Sequence, residues 1–139
     1  PLMKEIHIFI DLCATGTKQE RNDKINRLIQ GVYSIAMFMI ESGIPQAYIW
    51  YDKVNGVIQE YSVEQEEELY WMFQELFRSK TTTEESELME AYVDWGKGRL
   101  LESALYLTVA DHESLDSGNL VRDRLEVMDL RGDVIEDQE

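Results

Sequence analysis

The sequence predicts a three-layer α/β domain, in which helices cover both faces of a mainly parallel sheet that contains one antiparallel hairpin strand. Short apolar runs of strand length alternate with longer segments in which apolar residues recur at helical spacing. The dipeptide Asn55-Gly56, between two runs rich in β-forming residues, indicates a hairpin with a type I′ turn. Because 139 residues suit one core, we assign residues 1–139 to a single domain.

The first half of the chain predicts a strand, a long helix and the hairpin. Residues 6–12 form an apolar run of strand length. Thr17 and Glu20 have capping-box spacing, and the apolar residues after them predict a helix over about residues 22–42. The two hairpin strands are predicted at 47–51 and 57–61.

The second half predicts two helices and two strands. Ser62 and Gln65 have the spacing of another capping box. The helix after them carries an apolar stripe that we expect in the core: Leu69, Met72, Phe73, Leu76 and Phe77, widened by Tyr70 and Trp71. A third helix carries Leu88 and ends near Gly96, with Thr83 as a candidate cap. Strands are predicted at 104–110 and 125–130, joined by a crossover over 112–124 that is short for a full helix.

The composition excludes several functional classes. The formal net charge is −15, and residues 63–139 hold 21 acidic against 7 basic residues, so we expect neither a nucleic-acid partner nor attraction to anionic lipid. No stretch approaches the roughly 20 apolar residues that a membrane span requires. The single cysteine, Cys13, excludes an internal disulfide and a cysteine-based zinc cluster.

The first residues bear on localisation. They lack the pattern of a signal peptide, and the chain starts with Pro1 rather than Met. We therefore expect a cytoplasmic domain cut from a longer protein, with any membrane tether lying outside this chain.

The candidate site lies where two predicted strands end. In α/β sheets, ligands bind beyond the carboxyl ends of the strands. Asp11 ends the first predicted strand and Asp111 follows the fourth, so these carboxylates and the loops beside them are the candidates.

A family resemblance rests on a set of features in chain order. These are the strand that ends in Asp11-Leu12-Cys13-Ala14-Thr15, the long helix after it, the strand AYIWYD with its hairpin, the threonine loop 81–83, and the strand ending at Asp111. On these features most of residues 4–131 resembles the von Willebrand factor A-like fold. Within that fold the chain is most similar to the bacterial family of unknown function encoded beside MoxR-type AAA ATPases.

The resemblance implies a metal-ion-dependent adhesion site for Mg²⁺. In that fold the ligands come from an Asp-x-Ser-x-Ser loop, a threonine and a later aspartate. By position these are Asp11, Thr15, one of Thr81, Thr82 and Thr83, and Asp111, and we take Thr82 as the threonine while the other two stay open. Cys13 stands where the motif has a hydroxyl, and a thiol is a poor ligand for Mg²⁺. The site is therefore expected to be degenerate, and both a Mg²⁺-bound and a metal-free form stay open.

The function that the resemblance implies is a non-enzymatic protein–protein interaction module that works with a MoxR-type AAA ATPase. The oligomeric state stays open. The sequence leaves a second possibility, in which exposed aromatic residues such as Tyr48, Trp50 and Trp71 serve assembly, although we expect such residues in the core.

The alternative is an enzyme. The segment Asp11-Leu12-Cys13-Ala14-Thr15 also resembles the start of haloacid-dehalogenase-like phosphatases, where Asp11 would be the nucleophile of a Mg²⁺-dependent hydrolase. With Gly16 it is similar to the opening of two-metal exonucleases. In both comparisons Cys13 replaces a carboxylate that the chemistry requires.

Overall fold

The computed structural model of the chain describes residues 4–96, 103–112 and 125–132, which form five strands and three helices. In chain order these are β1 (Ile6–Ile10), α1 (Lys18–Glu41), β2 (Gln46–Asp52), β3 (Val57–Val63), α2 (Glu66–Arg78), α3 (Leu88–Gly96), β4 (Ala104–Thr108) and β5 (Leu125–Asp129). Within the described ranges, none of the helices combines the length and the apolar character that crossing a membrane would need.

The strands form one sheet in the order β3-β2-β1-β4-β5, with β1 at its centre. β1 runs parallel to β2 and β4, and β5 runs parallel to β4. Of these strands β3 alone is antiparallel, and it pairs with β2 along its whole length. The predicted mainly parallel sheet with one antiparallel hairpin strand is confirmed.

The two faces of the sheet carry separate apolar cores, because successive side chains of a strand point to opposite faces. Helices α1 and α2 pack on the face that presents Ile8, Ile10, Tyr48 and Trp50. Helix α3 packs on the other face, which presents Phe9, Ile49 and Tyr106. Helices therefore cover both faces, as the sequence predicts.

Helix α1 begins earlier than its apolar pattern. The predicted capping box is present, since Thr17 Oγ1 accepts a hydrogen bond from Glu20 N at 3.2 Å and Thr17 N donates to Glu20 Oε1 at 2.8 Å. The helix starts at Lys18, whereas the apolar spacing predicts a start near residue 22. The difference arises because the first turn is polar and faces solvent. Apolar periodicity cannot detect such a turn.

The hairpin is present, but its predicted type I′ turn is wrong. Strand pairing ends at Asp52 and Val57, which leaves a loop of residues 53–56. The Asp52 carboxylate accepts hydrogen bonds from the amides of Val54 and Asn55, and Gly56 N donates to Asp52 O. The carboxylate thus stabilises a wider turn than the two-residue one that Asn-Gly favours.

The second predicted capping box is also wrong. Strand β3 continues through Ser62 to Val63, so Ser62 cannot start a helix. Helix α2 begins at Glu66, and Gln65 N donates to Glu68 Oε1 at 3.2 Å. The box is shifted because pairing with β2 extends β3 past its apolar run.

Three further expectations differ from the structure. Tyr70, Trp71 and Phe77 were expected in the core but are 59%, 54% and 65% exposed. Helix α3 starts at Leu88, too late for Thr83 to cap it. Strand β4 ends at residue 108 rather than 110, and most of the crossover predicted over 112–124 lies outside the described residues.

The core under α1 gives a test of the fold. Leu28 is fully buried, whereas Phe38 on the same helix is 64% exposed. We expect Leu28→Ala to lower the free energy of unfolding by about 2–5 kcal/mol, because it removes buried methyl groups and leaves a cavity. Phe38→Ala should change it by less than about 0.5 kcal/mol. Urea unfolding measures both, and equal losses would contradict the burial described here.

Candidate functional site

The central strand β1 ends against a buried carboxylate. Asp11 follows the apolar run of β1, and its backbone N–H extends the ladder by donating to Leu107 O of β4 at 3.0 Å. Its side chain is only 2% exposed. Burial of a carboxylate is costly unless its oxygens are hydrogen-bonded, so the partners of Asp11 determine what this position can do.

Two hydroxyl groups bind the two carboxylate oxygens of Asp11. Ser86 Oγ, from the loop before α3, donates to Oδ1 at 2.7 Å, and Thr108 Oγ1, at the end of β4, donates to Oδ2 at 3.0 Å. Ser86 Oγ also lies 3.3 Å from the hydroxyl of Tyr106. Thr108 Oγ1 accepts from Ala110 N at 3.0 Å. We call Asp11, Ser86, Tyr106 and Thr108 the Asp11 cluster.

The Asp11 cluster favours neutral side chains. Burial raises the pKa of the Asp11 carboxyl above its ordinary value, and the hydrogen bonds from Ser86 and Thr108 offset only part of that rise. Burial, reinforced by the nearby Asp11 charge, raises the pKa of Tyr106 as well. A protonated carboxyl is a weaker nucleophile and a weaker metal ligand than an ionised one.

The loop after β1 is paired with the threonine loop. Ala14 N donates to Thr82 O at 3.0 Å and Thr82 N donates to Leu12 O at 2.7 Å, which forms a short parallel bridge at Cys13. The hydroxyl of Thr82 also donates to Leu12 O, at 3.3 Å. The resemblance predicts that these two loops meet, and they do, but through their backbones.

Cys13 is a packed residue. Its side chain is fully buried, and burial raises the pKa of the thiol. A reactive cysteine needs a lowered pKa and access to solvent. Cys13 therefore packs as a small core residue and lacks the environment of a nucleophile.

Basic side chains lie against the loop that holds Thr15. Lys24 Nζ donates to Thr15 O at 3.0 Å, and Arg21 donates to Gly16 O at 2.6 Å. Both come from the first turns of α1. Two positive charges at this loop disfavour a divalent cation in the same place.

The second predicted aspartate lies in a different environment. Asp111 is exposed, in contrast to Asp11. The neighbouring His112 lies with Nε2 3.2 Å from Asp129 Oδ2 at the end of β5. Asp129 is also held by Arg131, whose guanidinium lies 2.6 Å away. These groups form a separate ionic contact at the edge of the sheet.

Hydrogen bonds within the protein compete with Mg²⁺ for several groups of the predicted ligands. Asp11 already accepts two hydrogen bonds from hydroxyl groups, and the Thr82 hydroxyl donates to a backbone carbonyl. The ammonium group of Lys24 donates to the backbone carbonyl of Thr15. A thiol replaces one hydroxyl at Cys13. Over the described ranges, no three His, Cys, Asp or Glu residues are grouped so that they could hold a metal ion. Mg²⁺ prefers several oxygen ligands in octahedral geometry, so the arrangement favours a metal-free site.

Sequence reasoning identified Asp11 and missed its partners. Thr108 carries a usable signal, because it is a polar residue inside the apolar run Ala104–Val109. Ser86 carries none, since it is one of several polar residues in a polar loop. Its contact spans 75 positions of the chain and depends on the tertiary fold.

Comparison of the chain with known protein families, with curated proteins and with solved structures finds no match.

The raised pKa of Asp11 makes stability depend on pH. The folded state holds this proton more tightly than the unfolded chain, so ionisation lowers the free energy of unfolding as the pH rises from the ordinary pKa of about 3.9 through the raised one. Asp11→Asn stays neutral and should lack this loss. In urea unfolding between pH 4 and pH 8, we expect its stability relative to wild type to rise with pH.

The control for that experiment is Asp23→Asn, which removes the same charge at an exposed position on α1. Its stability relative to wild type should change less with pH. If the difference in the free energy of unfolding between Asp11→Asn and wild type stayed constant from pH 4 to pH 8, a raised pKa at Asp11 would be contradicted.

The metal-free interpretation is tested by thermal unfolding with Mg²⁺ and with chelator at equal ionic strength. We expect wild type and Asp11→Ala to show the same change in melting temperature. A bound ion at about 100 times its dissociation constant would add about 2.7 kcal/mol to wild type alone. A rise of several degrees that Asp11→Ala removes would therefore show that Asp11 binds the ion.

Proposed function

We propose that this chain is a non-enzymatic protein–protein interaction domain of the von Willebrand factor A-like type, and that it works without a bound metal. The order of elements, the central strand that ends in Asp11 and the antiparallel hairpin support the fold assignment. The donor set around Asp11 supports the metal-free form.

The observation that carries the proposal is a set of exposed aromatic side chains on α1 and α2. Tyr33, Tyr70, Trp71 and Phe77 are each at least 51% exposed. The ring of Phe73 lies near two of them, with its centroid 6.5 Å from that of Tyr33 and 5.6 Å from that of Phe77. Large contiguous apolar patches are uncommon on monomers and mark interaction sites.

Of these aromatic residues, Tyr33, Phe73 and Phe77 border a groove between the two helices. One part, of about 550 Å³, is lined by Ile29, Tyr33, Phe73 and Phe77, among others. A second part, of about 530 Å³, shares Ile29 and Phe77 and continues to Leu12. We call both parts together the α1–α2 groove. It extends from the aromatic surface to the loops at the carboxyl end of the sheet.

The lining of the α1–α2 groove indicates the chemistry of its occupant. Its polar lining residues are uncharged, and they are Asn26, Gln30, Ser34, Ser79 and Thr81. An apolar side chain of a partner protein fits such a groove better than a charged one. The resemblance supplies the partner to test, a MoxR-type AAA ATPase.

The enzymatic alternative has less support. A nucleophilic carboxylate must reach its substrate, whereas Asp11 is 2% exposed and both of its oxygens accept hydrogen bonds. Burial also raises its pKa, which reduces the ionised fraction that would attack. In addition, Cys13 stands where the phosphatase pattern has a second carboxylate.

The proposal is tested by calorimetric titration of the chain with the nucleotide-free MoxR-type ATPase of the same organism. We expect binding that chelator does not change and that Phe77→Ser weakens by about 30-fold, the effect of removing an aromatic anchor worth about 2 kcal/mol. Phe38→Ser is the matched control, because Phe38 is equally exposed and does not line the groove. It should bind as wild type does.

Three outcomes would contradict parts of this proposal. Equal losses for Phe77→Ser and Phe38→Ser would exclude the groove as the binding surface. Binding that requires Mg²⁺ would contradict the metal-free form. Absence of binding, together with dimers by light scattering that Phe77→Ser dissociates, would assign the aromatic surface to a second copy of the chain.

A further inference from the structure

A second groove lies on the opposite face of the sheet, between the edge strand β3 and helix α3. It has a volume of about 610 Å³ and is lined by Tyr51, Gly56, Val57, Ile58, Glu87, Glu90, Ala91, Asp94 and Trp95. We call it the α3–β3 groove. It shares no lining residue with the α1–α2 groove.

One wall of the α3–β3 groove is a strand at the end of the sheet. β3 is the first strand in the order, and within the described ranges no strand lies beyond it. An edge strand directs alternate N–H and C=O groups away from its partner, where an extended segment of another chain can pair with them. The groove begins at the turn and follows Val57 and Ile58 of β3.

The other wall is acidic. Glu87, Glu90 and Asp94 lie at successive turns of α3 or just before it. Glu87 already binds a cation of the chain itself, since its Oε2 lies 2.5 Å from Lys53 Nζ. Glu90 and Asp94 are exposed. The groove thus presents two exposed carboxylates beside a third that is paired with Lys53, and it favours a positively charged occupant.

The aromatic residues of the groove suit a guanidinium group. Trp95 is 40% exposed, and Tyr51 is partly buried against the core on this face. A planar guanidinium stacks on such rings and binds carboxylates at the same time, which an ammonium does less well. The groove therefore favours arginine over lysine.

We propose that the α3–β3 groove binds an extended, arginine-containing segment of a partner protein, which adds to β3 as a further strand. Its backbone pairs with the outer edge of β3, and its arginine side chains reach Glu90 and Asp94. A second copy of this chain is a poor occupant, because each copy carries a net charge of −15 and would bring its own acidic groove to the interface.

This inference does not depend on the proposed function, because the two grooves lie on opposite faces of the sheet. Phe77→Ser should leave binding in the α3–β3 groove unchanged. Failure of one proposal therefore leaves the other testable.

The experiment measures fluorescence anisotropy of a labelled eight-residue peptide in which arginine alternates with valine, titrated with the whole 139-residue chain. A second peptide carries glutamate in place of arginine, and a third carries proline at two central valine positions. Glu90→Gln and Asp94→Asn test the acidic wall. Glu66→Gln and Glu67→Gln, on the exposed first turn of α2, are the matched controls.

We expect the arginine peptide to bind, with each of Glu90→Gln and Asp94→Asn raising Kd by about fivefold, since an exposed ion pair contributes up to about 1 kcal/mol. The glutamate peptide should not bind, the proline peptide should bind more weakly, and the control variants should match wild type. Circular dichroism of each variant verifies that it folds.

Several results would overturn the inference. Equal losses in the Glu66 and Glu67 variants would show general attraction to an acidic protein. Equal affinity for the proline peptide would exclude strand pairing with β3. If the arginine peptide did not bind, an arginine-containing segment would be rejected as the occupant of the groove. The same would follow if two copies of the chain formed a dimer that prevents the peptide from binding.

Discussion

The arrangement of the loops at the carboxyl end of the sheet depends on one buried carboxylate. Asp11 stands at the end of the central strand, and its two oxygens are bound by Ser86 from the loop before α3 and by Thr108 from β4. Removal of either hydroxyl would leave a buried acceptor without its partner, a cost of about 1–3 kcal/mol. The carboxylate thus connects three segments distant in sequence through both of its oxygen atoms.

The sequence predicted the architecture well because the architecture depends on local patterns. Apolar runs located the strands, and the spacing of Thr17 and Glu20 predicted the capping box of α1, although the helix itself was predicted to start near residue 22. The errors lie where hydrogen bonds outside the apolar pattern decide the structure: pairing with β2 carried Ser62 into β3, and the Asp52 carboxylate, bound to the amides of nearby residues, widened the hairpin turn. The site follows the same division, since Asp11 ends a recognisable strand whereas Ser86 reaches it only after the chain has folded.

The same limit explains the exposed aromatic residues. Tyr70 and Trp71 widen the apolar stripe of α2, and periodicity alone assigns such positions to the core. The sheet face under α1 and α2 is already filled by Leu69, Met72 and Leu76, which are buried. The additional aromatic residues lie at the surface, where a patch of apolar side chains is typical of an interaction site.

The net charge of the chain bears on whether such a surface favours self-association. A net charge of −15 opposes the approach of a second copy, since like charges at an interface cost several kcal/mol. An uncharged or basic partner does not meet that repulsion. The same charge that disfavours self-association would favour the basic segment proposed for the opposite face. One sheet, covered by α1 and α2 on one side and by α3 on the other, separates the apolar α1–α2 groove from the acidic α3–β3 groove, so each proposed partner would meet a different chemistry.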